Sequence, residues 1–519
     1  MARRLALLAP SLGLALAGCP GPATTDDAAM SPDAFTGSSD AGTDGGMATT
    51  DAHRDPDAFA AGDAPVEPDA FVEADAGSDA FVSGDAGPSL PAITDPTPHL
   101  VPASADGHDR LYDVVFAPDS SFYVVGVRAA GTDATTNDFE TIVGHFTPSG
   151  DLDTSFGTGG WFVSNLAVGL GGEIARAIGL QSDGRIVVAA TVEHVAVGAD
   201  ARDRDVAVIR LDTDGTLDDT FGTAGAVLLD LSDGEAVPAP GTGYAADGAW
   251  NLVVDASDRI VIAVQVKRMG GTDTDFGLVR LAANGALDTT FAGGGLYQRD
   301  IDNVSATVRE VEILPDGRLA GTGYYSNGGS IRPVIYLVDD SGDPVTTFGT
   351  GGLYTEIVLM AQTEIYAAAV QGDSLVTVGY GRELGPEDND FVSLRVSTTT
   401  GSRDLTYGGV GYSLLPGYDF GDNARDIRVL PDGRSVHVGA LRTSSTEADA
   451  AIVLLSRDGA PDTTFGTAGV MLANLAAGTV DHFWGIDVDP TGTRMVAVGI
   501  GGTNPATDDD ALVYLSRIP

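Results

Sequence analysis

The chain has 519 residues, with 74 acidic against 28 basic side chains and a net charge of −46 at neutral pH. A polyanion of this kind does not bind nucleic acid or an anionic membrane face by itself. Its single cysteine, Cys19, excludes an internal disulfide and a thiolate metal site.

Arg3 and Arg4 open the chain and are followed by a short apolar run over residues 5–17. That run is too short for a membrane span, which needs about twenty residues, and reads as a targeting segment. It ends in Leu16-Ala17-Gly18-Cys19. This resembles the lipobox of bacterial lipoproteins. The resemblance implies cleavage before Cys19, a diacylglycerol on its sulfur and a further acyl chain on the new amino terminus. Several chains anchor stably where one is marginal. The alternative is an ordinary signal peptide followed by a chance cysteine. Pro20, not Asp, follows the cysteine, which by the same resemblance implies the outer membrane, at its periplasmic face or at the cell surface.

Residues 20–98 are built of Asp, Ala, Gly, Pro, Ser and Thr, with sixteen acids against Arg54 alone. Degenerate copies such as Pro32-Asp-Ala-Phe35 and Pro68-Asp-Ala-Phe71 recur. Such a segment does not bury enough apolar surface to offset its ordering entropy, so a disordered spacer is expected. A docking role for the Asp-Ala-Phe copies is the sharper alternative. The expected division is a signal peptide over 1–18, a lipidated cysteine with its linker over 19–98, and a folded body over 99–519.

The body repeats. Leu152-Asp-Thr-Ser-Phe156, Leu217-Asp-Asp-Thr-Phe221, Leu287-Asp-Thr-Thr-Phe291 and Pro461-Asp-Thr-Thr-Phe465 are close copies, and Pro344-Val-Thr-Thr-Phe348 and Arg403-Asp-Leu-Thr-Tyr407 are worn ones. The steps between aromatics are 65, 70, 57, 59 and 58 residues. Each unit of roughly sixty residues reads as four β-runs with Asp-Gly turns, a strong hairpin signal. Seven copies of the first two runs start near Leu111, Ala175, Ala249, Val308, Tyr366, Ala424 and Phe483. Their turns carry Asp119, Asp183, Asp258, Asp316, Asp373, Asp432 and Thr491. The expected fold is all-β, a seven-bladed β-propeller of four-stranded antiparallel blades. The seventh unit stops without its Asp-Thr-Phe segment and fourth strand. The run His99-Leu-Val-Pro-Ala103 is therefore expected to complete the last blade and hide two sheet edges; an open stack of sheets is the alternative.

The unit, with its Leu-Asp-Thr-Thr-Phe ending and upstream Asp-Gly turns, resembles the delta-60 repeat, a bacterial surface-associated repeat. The resemblance covers nearly all of residues 109–519 and implies no particular chemistry. Unit four departs at Val345 and at Arg332-Pro333, and unit five at Tyr407.

The repeated residues Asp153, Phe156, Asp218, Phe221, Asp288, Phe291, Phe348, Tyr407, Asp462 and Phe465 are read as structural. An Asp at a chain reversal accepts nearby backbone N–H groups, and the aromatic is expected to fill a gap between blades. A second Asp precedes strand three, at Asp138, Asp205, Asp275, Asp390, Asp449 and Asp510. Asp275, Asp390 and Asp510 lie in acidic company that suits a hard cation such as Ca²⁺, and they are the metal candidates. Arg210, Arg280 and Arg395 recur five residues after such an Asp, and pairing across neighbouring blades is expected. The scattered histidines show no zinc motif, and there is no nucleophile elbow or phosphate loop. No catalytic residue and no cofactor is assigned, calcium aside. The many glycines read as turn residues.

Besides a purely structural spacer module, two functions remain open. One is a monomeric, non-enzymatic, membrane-anchored module that binds a protein or glycan, with specificity in the variable loops at residues 193–204 and 381–389. The other is a hydrolase or lyase acting on a glycan or lactone at one mouth, which a non-repeated polar cluster would favour. The anchor is checked by fractionation. A Cys19→Ser chain is expected to leave the membrane pellet, and one that still sediments with membranes overturns the lipid assignment.

Overall fold

The computed structural model describes residues 90–104, 108–129, 139–166, 173–195, 201–232, 235–236, 247–267, 273–326, 330–385, 388–415, 421–444, 447–475, 480–504 and 508–518. Cys19, the linker and Asp138 lie outside them.

The described strands form antiparallel sheets in seven successive units. Unit one holds Asp109–Phe116, Phe122–Ala129, Phe139–Phe146 and Trp161–Ser164. Units two and three repeat this with Ile174–Leu180, Ile186–Val195, Ala201–Leu211 and Ala226–Leu229, then Gly248–Val254, Ile260–Lys267, Thr274–Leu281 and Leu296–Arg299. Unit four holds Ala306–Ile313, Leu319–Ser326, Ile331–Val338 and the short Leu353–Tyr354. Unit five holds Gln362–Gln371, Ser374–Arg382, a third strand split into Asp390–Ser393 and Arg395–Ser397, and Ser413–Leu415. Unit six holds Asn423–Val429, Ser435–Ser444, Glu447–Leu455 and Val470–Ala473. Unit seven has His482–Val488, Arg494–Asn504 and Asp508–Arg517. The first strand of each unit packs against the first strand of the next, and that of unit seven against that of unit one. The fold is a β-propeller.

Four departures from the simple repeat appear. Unit two gains a fifth strand, Glu235–Ala236, on the outer side of its third. Units four and five are joined by a parallel bridge between Ile331 and Gln362; Pro333 lies inside the third strand of unit four, whose fourth strand pairs only two residues. Unit five's third strand breaks at Leu394, where the Thr377 hydroxyl takes over the Leu394 N–H at 3.0 Å. Much of the loop expected at residues 193–204 is paired strand, with Glu193 opposite Arg204 and Val195 opposite Arg202.

Each apolar core is shared by two neighbours rather than enclosed by one unit. Ala177, Val187, Val206 and Phe221 of unit two pack with Leu252, Ile262 and Val279 of unit three. The same sharing joins units one and two and units seven and one. No unit buries its two faces alone, so the ring is the smallest object with a covered core.

The repeated Asp-x-Thr-Phe segment fastens these interfaces. Asp288 Oδ1 accepts the Thr290 N–H at 3.1 Å and its hydroxyl at 2.6 Å, which turns the chain and drives Phe291 inward. The next residue then donates its N–H to a turn carbonyl of the following unit. Gly157 reaches Asp214 at 2.8 Å, Gly222 reaches Asn284 at 3.2 Å, Ala292 reaches Ser341 at 2.7 Å, Gly349 reaches Thr400 at 2.9 Å and Gly408 reaches Asp458 at 2.8 Å. The glycine after each accepting residue lies over the preceding unit's aromatic or the residue beside it. A Cβ on Gly285 would come within 2.9 Å of the Phe221 ring, and one on Gly459 within 2.7 Å of Tyr407, and both glycines have positive φ. Only glycine meets both demands.

Unit seven lacks this segment, and the N-terminal run stands in for it. His99 and Leu100 pair antiparallel with Val513 and Leu512. Upstream, Thr94 donates to Ser149, the matching turn carbonyl of unit one, at 2.8 Å. The Arg494 guanidinium, within a side chain only 2% exposed, donates to the carbonyls of Pro148 and Pro91. The ring thus closes through a strand and through a non-homologous copy of the latch.

The truncated unit also explains an exception. Phe156 is 2% exposed and Phe221, Phe291, Phe348 and Tyr407 are 0% exposed, whereas Phe465 is only half-buried. Phe465 faces unit seven, where among the described residues no turn glycine covers the ring. Phe221→Ala is therefore expected to cost about 3–5 kcal/mol in denaturant unfolding and Phe465→Ala about half that or less. Equal costs would show that the turn glycine contributes nothing.

Candidate functional site at the ring axis

The first strand of every unit carries a β-bulge at the same place, between Leu111 and Asp113 in unit one and between Phe483 and Gly485 in unit seven. The extra residues are Tyr112, Arg176, Trp250, Arg309, Tyr366, Arg425 and Trp484. A bulge turns two successive side chains to one side of the strand, so these seven form a ring of their own. Aromatic and arginine alternate round it. The Arg176 guanidinium lies 5.3 Å from the Tyr112 ring and 4.4 Å from that of Trp250. Arg309 lies 4.1 Å from Trp250 and 4.4 Å from Tyr366, and Arg425 lies 4.3 Å from Tyr366 and 4.4 Å from Trp484. Seven is odd, so one contact joins two aromatics, Tyr112 and Trp484, edge to face at 5.4 Å. Desolvated cation–π contacts of this kind are worth about 2 kcal/mol each.

A glycine sits across from five of the bulges. A Cβ on Gly126, Gly323, Gly379, Gly439 or Gly499 would lie within 2.0 Å of the carbonyl at the bulge. These are mid-strand glycines, so reading the glycines as turn residues misses them. They were the sequence signal for the bulges.

The next layer is polar and mostly acidic, with Asp113, Asn251, Glu310 and Asp426 directly after the bulge in four of the seven units. Asp113 Oδ2 accepts the Ile178 N–H of the next unit at 3.0 Å. Asp426 and Asp487 do the same for Ile486 and Phe116, each at 2.8 Å, and Glu310 for Ala368. These acceptors satisfy first-strand N–H groups that no strand pairs. Arg428 stands among them, 2.9 Å from Asp426 Oδ1 and 3.3 Å from Asp487 Oδ1. Burial, reinforced by the Asp426 carboxylate, pushes Asp113 up to about 7. Burial also lifts Glu312 to about 7 against the pull of Arg428, and drives Glu310 well above its usual range, helped by Asp426 and Glu312. On this side a cleft of about 570 Å³ opens between units five, six and seven, lined by Gln371, Arg428, Asp432, Arg457, Asp487 and Asp489 among others.

The expected site residues fall elsewhere. Asp153, Asp218, Asp288, Asp404 and Asp462 each accept the N–H and hydroxyl of the Ser or Thr two residues on. The Thr406 hydroxyl and N–H, with Arg395, hold Asp404 at about 2. The recurrent arginines pair with these aspartates inside their own unit. Arg210 reaches Asp218 at 2.7 Å, Arg280 reaches Asp288 at 2.8 Å and Arg395 reaches Asp404 at 2.6 Å. The expected pairing across blades is present beside it: Arg280 also reaches Asp340 at 3.1 Å and Arg395 reaches Asp458 at 3.4 Å, each in the following unit. Hydrogen bonds to carbonyls cross the interface as well, as from Arg210 Nη1 to Ala283 at 2.6 Å.

Asp275, Asp390 and Asp510 stand in units three, five and seven and do not converge. Asp275 instead meets Asp273 and Asp300, with carboxylate oxygens within 4.8 Å of one another, and accepts from Gln298 at 2.8 Å. A further set of acids was missed by the sequence reading. Asp109 opens the first strand of its unit, Asp247 and Asp481 directly precede theirs, and all three accept backbone N–H groups of the incoming loop, such as Ser104 and Leu475 at 2.8 Å.

Residues 181–221 and 256–291 match a family described as "Domain of unknown function (DUF5122) beta-propeller". The chain is a β-propeller repeat protein. No curated protein matches the sequence. Among solved structures, the propeller is similar to a streptogramin B lyase at 11% identity and TM-score 0.41, over 81% of this chain and 97% of that one. It is also similar to the β-propeller domain of the Trilobed protease from Pyrococcus furiosus at 9% identity and TM-score 0.40, over 80% and 95% of the two chains. The NanB sialidase from Streptococcus pneumoniae matches at 9% identity and TM-score 0.40, over 74% and 70%. These likenesses concern the fold alone.

The axial carboxyls make propeller stability depend on pH. Asp113 and Glu312 titrate near 7 in the folded chain and near 4 when unfolded. Folding therefore takes up protons between these values. The stability is complete below the unfolded value, falls as pH rises through the window, and levels off above about 7. Wild-type melting temperature is expected to drop between pH 5 and pH 8. Asp113→Asn, which keeps an acceptor for Ile178, should drop less, and parallel curves would contradict the assignment.

Proposed function

We propose that the protein is a non-enzymatic binding module of the cell envelope, anchored by lipid at Cys19 and held off the membrane by its acidic linker, which takes its ligand at the ring axis. The observation that supports this reading is the contrast between rim and axis. The rim latches repeat unit after unit, because every interface must be fastened the same way. The axial bulge recurs too, but the charged cluster around Arg428 does not. Arg428 is found in unit six alone, beside carboxylates contributed by units one, four, six and seven, and it borders the cleft. Burying those charges without need would be expensive, and a cleft with convergent polar groups is the usual form of a ligand site.

A hydrolase or lyase remains the second reading. Asp113 and Glu312, held near 7 by their surroundings, lie in the range suited to proton transfer at neutral pH.

One experiment addresses both. The full chain and its Arg428→Met variant are screened against glycans, lactones and basic peptides, with Leu384→Ser as a control in the exposed loop of unit five, where Leu384 is 69% exposed. A ligand lost by at least about tenfold in Arg428→Met and kept in Leu384→Ser supports the axis. The reverse pattern moves the site to the variable loops. Conversion of the bound compound by wild type but not by Glu312→Gln would replace the binding module by an enzyme.

A further inference from the structure

The arginine level of the axis differs from the carboxylate level beside it. Three guanidiniums gather there in a chain whose net charge is −46. Their faces are covered by aromatic rings, so hydrogen bonding is left to the in-plane N–H groups, which suit the oxygens of a carboxylate or phosphate. Arg309 uses one edge on the hydroxyls of Tyr324 at 2.6 Å and Tyr366 at 3.0 Å. Glu364, held by Gln362 at 2.6 Å, supplies the negative field felt by Tyr366 and Tyr380.

The ring has one irregular corner. Trp484 meets Tyr112 there instead of a second guanidinium. His482, two residues before Trp484, stacks on its indole at 4.8 Å, and Arg425 covers the same indole at 4.4 Å. His482 is 6% exposed. Among the described residues the indole Nε1 has no hydrogen-bond partner, and the imidazole has none besides the backbone of Phe483. Burial and the charge of Arg425 hold the imidazole well below its usual range, so it is neutral and keeps one N–H to donate. Buried donors without acceptors are costly and call for an occupant. The corner thus offers an indole N–H, an imidazole N–H, the positive edges of two aromatic rings and a guanidinium.

We propose that this corner, formed by Arg425, His482 and Trp484, binds a small oxyanion, a carboxylate or a phosphate group, as part of the ligand taken at the axis. The assignment rests on the axis being the ligand site. It names the anionic part of that ligand, as distinct from whatever meets the acidic layer around Arg428.

The probes are sodium acetate and inorganic phosphate, titrated into the full chain against sodium chloride at matched ionic strength. Readouts are melting temperature and tryptophan fluorescence. One or both anions are expected to raise the melting temperature saturably beyond chloride, and the one that does so identifies the group. Trp484→Phe keeps the ring contacts and removes the N–H, and Arg425→Lys keeps the charge and removes the planar fork. Each should weaken the anion by about tenfold while the chain stays folded by circular dichroism. If Arg425→Lys fails to fold, Trp484→Phe alone decides. An anion bound as tightly by Trp484→Phe as by wild type overturns the proposal, and so does the absence of any shift beyond chloride. A screened ligand that still depends on Arg428 when neither anion binds would leave the axial site standing and remove only the oxyanion. An anion effect that persists while ligand binding ignores Arg428 would do the opposite.

Discussion

Everything in this ring depends on one hydrogen bond and the ring of carbon atoms beneath it. The residue after the motif aromatic donates its N–H to a turn carbonyl of the next unit, and the aromatic fills the space under that turn's glycine. Each apolar core lies between units, so stability exists only where neighbours are docked. The latch is what fixes their docking. Its parts recur: an Asp to turn the chain, a hydroxyl to hold the Asp, a flat ring and a glycine opposite. Unit four keeps the latch with Val345 in the place of the Asp, so the buried ring, the N–H and the facing glycine are the parts that every latched copy shares.

The first and last units show the same constraint from the other side. A closed ring leaves one interface where chain order gives no help. The run before unit one meets it with Thr94 in the place of the motif residue, Arg494 bound to Pro91 and Pro148 and a two-residue strand. The opposite flank of unit seven receives no such substitute, and Phe465 is left half-covered.

At the centre the constraint is different. Seven first strands turn unpaired edges toward one another, and their N–H groups need acceptors. Side chains from the preceding unit supply them, which places carboxylates deep in the ring and raises their pKa values. The bulge beside them swings a second side chain into the axis. Arginine and aromatic alternate there because each planar cation is stabilised by two faces. Structural need explains that some polar group stands at most positions. It does not explain why Arg428, Glu312 and His482 stand at theirs, and this excess is where ligand chemistry is to be sought.

The sequence alone carried the period, the turns and the motif, because these rest on local backbone chemistry that recurs in register. It also carried the missing strand of unit seven, since an absence stands out against six copies. The axial ring lay one residue beyond Leu111, Ala175, Ala249, Val308, Ala424 and Phe483, in plain view but without meaning, because an alternating strand sends that residue to the opposite face. Only the bulge, faced by a glycine such as Gly126 or Gly499 in five of the seven units, turns it inward. Likewise Asp275, Asp390 and Asp510 share a place in the repeat, and repetition around a ring is what keeps them apart. Local hydrogen bonding and periodicity were therefore written in the chain, whereas which side chains meet was decided by ring closure, a bulge and the packing of residues hundreds of positions apart.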